Sequence, residues 1–118
     1  SETKKNPAQA FTEENRFVKR VIIHQKNRTT FFPEPEADKK RYFEEMITLQ
    51  KENTSGSHLF FLTPEACVYM YKKDKAVFIC ECDCDISVSQ VKMEFDAFVE
   101  ESQKQGKFPK FFSSFFDR

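Results

Sequence analysis

The sequence predicts a single α+β domain: an antiparallel sheet of four to five strands, packed by two amphipathic helices and a short Phe-rich C-terminal helix. Two patterns carry that prediction. From Glu65 to Asp85 (EACVYMYKKDKAVFICECDCD) two runs rich in β-branched and aromatic residues flank a polar turn, as in a β-hairpin. From Glu36 to Lys51, and again from Ser87 to about Gln105, apolar residues recur at helical spacing instead.

The hairpin is the centre of the reading. Its turn lacks the Asn-Gly or Asp-Gly that favours a tight connection, so a four-residue loop at Lys72–Lys75 is expected. Tyr71 then pairs with Ala76, Tyr69 with Phe78 and Cys67 with Cys80. Side chains alternate along a strand, so one face carries Cys67, Tyr69, Tyr71, Phe78, Cys80, Cys82 and Cys84. The other carries Val68, Met70, Val77 and Ile79 before turning polar at Glu81 and Asp83. Apolar residues on both faces mark a central pair of strands covered on two sides.

In chain order, Ser1–Ala10 is polar and reads as a disordered tail, leaving residues 11–118 as the domain. The absence of an initial Met suggests a domain excised from a larger protein. Phe11-Thr12 resembles a staple and cap at a helix start. Residues Arg16–Lys26 fit a helical stripe through Phe17, Val18, Val21 and Ile22, yet the β-branched run Val21-Ile22-Ile23 suits a strand. A short helical start entering a strand at Lys19–Gln25 reconciles the two. A turn at Asn27-Arg28 and a strand at Thr29–Phe32 follow, and Pro33 ends that strand.

The Glu36–Lys51 helix places Tyr42, Phe43, Met46, Ile47, Leu49 and Gln50 on one face, with Glu34, Glu36 and Asp38 at its positive end. Asn53-Thr54-Ser55-Gly56 stops it. His58–Leu62 reads as a strand, apolar on both faces. Ser87-x-x-Gln90 is a capping box opening the last long helix, with Val91, Phe95, Phe98 and Val99 inward and Gly106 as its stop. Beyond it, Phe108, Phe111, Phe112, Phe115 and Phe116 form a helical stripe.

Composition narrows the function. Fifteen Phe, no Trp and two Gly imply a core built on phenylalanine and exclude a Gly-rich phosphate loop. Nineteen basic residues balance nineteen acidic ones, which argues against a dedicated nucleic-acid or anionic-membrane binder. Neither a transmembrane run nor a signal peptide is visible. Cys80, Cys82 and Cys84 alternate along one strand, where they do not readily bridge one another. That spacing points to a reducing, cytosolic or nuclear setting.

The same alternation holds residues i and i+2 about 7 Å apart, too far to chelate one ion without breaking the strand. Buried thiols acting as small hydrophobes are therefore expected, and metal binding at the cysteines is a third functional reading behind protein interaction and RNA binding. His24 and His58 lie in no ligand or nucleophile signature, and the carboxylate pairs Glu44/Glu45 and Asp83/Asp85 lack a tuned partner. No catalytic residue, cofactor, metal, membrane contact or small-molecule substrate is expected.

The sequence supports a non-catalytic protein–protein interaction domain, a scaffold or adaptor within a larger intracellular assembly, whose partner is a protein or a second copy. Phe108, Phe111, Phe112, Phe115 and Phe116 are the candidate partner-binding residues, in a tail expected to pack at least partly on its own sheet as core, with some of its phenylalanines left for a protein contact. The alternative is an RNA-binding domain using the acid-free stripe Arg16, Lys19, Arg20, Lys26 and Arg28, which meets phosphates while Phe31 and Phe32 stack on bases.

Overall fold

The computed structural model describes residues 6–104 and shows a five-stranded antiparallel sheet with three helices. The elements in chain order are α1 (Pro7–Glu14), β1 (Val18–Gln25), β2 (Arg28–Phe32), α2 (Ala37–Glu52), β3 (His58–Leu62), β4 (Cys67–Lys73), β5 (Ala76–Cys82) and α3 (Val88–Lys104). The strands lie in the order β2-β1-β5-β4-β3, which makes β2 and β3 the two edges. The Phe-rich stripe, Gly106 and Ser1–Lys5 lie outside the described residues.

Two cores form, one on each face of the sheet. On one face Val21, Ile23, Cys67, Tyr69, Phe78, Cys80 and Cys82 meet Ala8 of α1 and Val91, Phe95 and Val99 of α3. Phe11 stacks on Phe98 with ring centroids 4.6 Å apart, joining the two helices. On the other face Ile22, Val68, Met70, Val77 and Ile79 receive Phe43, Met46 and Ile47 of α2. The hairpin faces thus match the alternation read from the sequence.

The hairpin register differs from the expected one. Tyr71 pairs with Phe78, Tyr69 with Cys80 and Cys67 with Cys82, because the turn is a two-residue loop at Asp74-Lys75. Both turn residues take left-handed backbone, φ 51° and 68°, the conformation a tight hairpin needs. Register moves by two residues, an even shift, so no side chain changes face.

The N-terminal segment also departs from expectation. A helix begins at Pro7, with Asn6 as its cap accepting the Ala8 N–H at 2.7 Å, and Ala8 is fully buried. Proline is suited to this first helical position because its missing N–H would have no partner there. Thr12 lies inside that helix, where its hydroxyl donates to the Ala8 carbonyl at 2.9 Å.

In β1, the pairing with β5 slips between Val18 and Arg20, leaving Lys19 as a bulge. The bulge puts Val18 and Val21 on the same face, a spacing that imitates a helix in the sequence. Among the described residues, no helix is long and apolar enough to cross a membrane.

Candidate interaction surface

The two edges of the sheet are built differently. Strand β2 starts with Arg28, carries Thr29 and Thr30, and ends at Phe32, just before Pro33. Helix α1 packs beside it, and the Thr12 hydroxyl reaches the Phe32 carbonyl at 3.3 Å. Charge, proline and a covering helix are the usual guards of a sheet edge.

Strand β3, HLFFL, has no basic residue except His58 and no proline. It pairs with β4 along one side. Leu59 and Phe61 pack toward α2, while Phe60 packs toward α3. Leu62 at its end is 73% exposed.

Helix α2 extends this apolar surface. Its buried stripe is Phe43, Met46, Ile47 and Gln50, which leaves Tyr42 and Leu49 exposed on its flank. Tyr42 lines a cleft with Thr63, Pro64 and Glu65, just past the end of β3. At the other end of α2, the Gln50 side-chain amide donates to the Ser57 carbonyl at 2.9 Å, at the start of β3. The two ends of α2 thus lie near the two ends of β3, while the helix itself packs on β4 and β5.

A polar network fixes β3 and β4 to α3. The Tyr69 hydroxyl donates to Asp96 Oδ1 at 2.6 Å, while His58 Nε2 lies 3.2 Å and Lys92 Nζ 2.9 Å from Asp96 Oδ2. His58 stacks on Tyr71 with centroids 4.7 Å apart. Tyr71 and Lys73 both hold Glu100, whose carboxyl is lowered below the usual range by those two donors. Burial, and then the carboxylates beside them, push both tyrosine hydroxyls well up from their ordinary values. These phenols are locked donors. The network braces β3 and β4 against α3.

The basic stripe does not form one surface. Arg20 faces α2, where its guanidinium pairs with the buried Glu81 and donates to the Pro33 carbonyl at 2.8 Å. Lys19 donates to the Glu65 carbonyl at 3.0 Å and lies 4.0 Å from Asp83. Arg16 and Lys19 sit at one end of β1, and Lys26, in the turn, and Arg28, just after it, lie at the other end. At about 3.3 Å per residue, the length of the strand separates the two groups by roughly 20 Å or more. Phe31 is buried against Phe43. Lys26 instead shares a cleft with Lys51, Lys72 and Lys75, a grouping from separate elements that no sequence run reveals.

The four cysteines are free thiols. Cys67, Cys80 and Cys82 are buried and Cys84 is exposed. Cys82 donates weakly to the Cys67 carbonyl at 3.6 Å, and burial pushes the Cys67 thiol up to about 11. Among the described residues, no group of three or more His, Cys, Asp or Glu side chains is placed to hold a metal ion. No family model and no curated protein matches this sequence.

Proposed function

We propose that this domain is a protein-interaction module that accepts an extended segment of a protein partner along β3. The observation that carries the reading is the contrast, among the described residues, between the guarded edge at β2 and the unpaired, aromatic edge at β3, with Tyr42, Leu49 and Leu62 exposed. An added strand gains main-chain hydrogen bonds along the edge, and flanking apolar side chains supply selectivity. A second copy of the chain is one such partner. Four free thiols and an overall charge of zero fit a scaffold or adaptor working in the cytosol or nucleus.

Affinity capture from the protein's own cell extract tests the proposal, with wild type beside Leu49→Lys/Leu62→Lys. Both positions are exposed, so the substitutions should leave folding intact. The expected result is a set of proteins retained by wild type, resistant to nuclease and lost with the double variant. Equal capture by both forms, or capture abolished by nuclease, would refute it.

A further inference from the structure

The end of the sheet that carries the β1–β2 and β4–β5 turns holds a cationic cleft of about 790 Å³. Its floor is one row of cross-strand neighbours, with His24 of β1 beside Val77 of β5 beside Lys72 of β4. Paired residues project to the same face, here the face that α2 covers. Lys51, in the last turn of α2, stands over this row, and Lys26 and Lys75 project from the two turns. Four ammonium groups thus converge from four segments, and Asp74 is the carboxylate among them.

These lysines differ from five others among the described residues. Lys19, Lys39, Lys40, Lys73 and Lys92 are each placed against a carboxylate. Among the described residues, Lys26, Lys51, Lys72 and Lys75 have no such partner. Two of them are nonetheless held in position. The Lys51 ammonium lies 3.4 Å from His24 Nε2, and the His24 Nδ1 atom is 2.8 Å from the Thr29 hydroxyl. The Lys72 ammonium donates to the Asn53 carbonyl just beyond the end of α2.

The turn chemistry strengthens the point. Lys26 and Lys75 occupy left-handed backbone, φ 54° and 68°, where Gly or Asn is the favoured residue. Both positions belong to two-residue hairpin loops, which require that backbone whatever the side chain, so the fold does not ask for lysine at either place.

From this convergence we infer that the cleft binds a small, multiply phosphorylated anion, its phosphates met by Lys26, Lys51, Lys72 and Lys75. Lysine suits such a ligand as a point charge that rotates to meet phosphate oxygens. The lining offers no Phe, Tyr or Trp for base stacking, which favours a phosphate ester over a nucleic acid strand. The same chemistry arises from a soluble polyphosphate ester or from a phosphorylated lipid headgroup. The site lies apart from β3 and does not rest on the strand-edge reading.

The test is calorimetric titration of the full chain at physiological salt with inositol hexakisphosphate, beside flotation with phosphatidylcholine vesicles containing phosphatidylinositol bisphosphate. A single-stranded RNA oligomer is the third probe. Saturable one-to-one binding is expected, weakened at least tenfold by Lys26→Asn/Lys75→Asn and further by Lys51→Gln. Asn suits the left-handed turn positions, so an unchanged melting temperature should accompany the loss. Lys40→Gln, on another surface, should change affinity less than twofold. Tighter binding to the soluble probe assigns a free anion, and tighter binding to vesicles assigns a headgroup; either upholds the site. Absence of saturable binding to both, indifference to Lys26→Asn/Lys75→Asn, or tighter binding to RNA would overturn it.

Discussion

Replacing Arg20 by Met should destabilise the domain more than any change of a surface charge, because Arg20 holds a buried carboxylate. Glu81 points from β5 toward α2 and is 2% exposed. One carboxylate oxygen meets the Arg20 guanidinium and the other meets Lys39 Nζ at 2.9 Å. Breaking a buried pair costs about 3–5 kcal/mol, most of it for the charge left behind. Lys39 remains on the second oxygen and is partly exposed, so the lower end, about 3 kcal/mol, is expected for Arg20→Met. For a chain of this length that lowers the thermal midpoint by roughly 10–15 °C. Arg20→Met/Glu81→Met removes both charges together and should recover most of the loss, with a coupling energy of at least about 2 kcal/mol in the double-mutant cycle. Urea and thermal unfolding of the four forms measure it. A single variant as stable as wild type, or a double variant as unstable as the single, would refute the assignment. The result also bears on nucleic-acid binding, since an Arg20 variant that loses RNA by unfolding says nothing of a contact.

Two further predictions follow from titratable groups. Alkylation of the native protein should modify Cys84 rapidly, while Cys67, Cys80 and Cys82 react only after unfolding, Cys67 being both buried and raised to about 11; more than one fast adduct by mass spectrometry contradicts the packing. His24 is lowered below its ordinary 6.5 by burial first and by the Lys51 ammonium second, with Glu44 opposing. The unfolded chain therefore takes up this proton first, and the stability the neutral ring contributes is lost as pH falls from 6.5 through the folded value. Urea midpoints from pH 7.5 to 5.5 should fall less steeply for His24→Gln, and an identical slope in both forms would rule this out.

Much of the fold was legible because alternation and helical periodicity each report one buried face. His58–Leu62, the hairpin faces and the Phe43, Met46, Ile47 part of the α2 stripe follow from that; Ser87 caps α3 as its sequence signature suggests, while the Gln90 side chain turns to Glu94 and does not complete a capping box. Local geometry that periodicity does not encode was harder to read. The bulge at Lys19 spaces Val18 and Val21 like a helix, although β1 is extended from Val18. The Asp74-Lys75 turn uses left-handed lysine and aspartate where Asn-Gly would have announced it. Tyr42 and Leu49, read as part of the buried face of α2, are exposed because the sheet covers the narrower stripe of Phe43, Met46, Ile47 and Gln50.

The candidate surfaces were less legible for a different reason. An edge becomes an edge through strand order, and the order β2-β1-β5-β4-β3 depends on pairings between segments far apart in the chain. Lys26, Lys51, Lys72 and Lys75 likewise come together only when two turns and a helix end meet. Arg20 shows the reverse case. It looked like part of a basic stripe, and the fold turns it inward onto Glu81.

Photo-crosslinking in cells tests the strand-edge proposal most directly. A benzophenone side chain at position 62, at the end of β3, is compared with one at position 93 on α3, where Met93 is 65% exposed and comparably apolar. The account predicts discrete protein adducts from position 62 that are absent from position 93 and lost when Leu49→Lys is added. No adduct from position 62, or the same adducts from both positions, would contradict it.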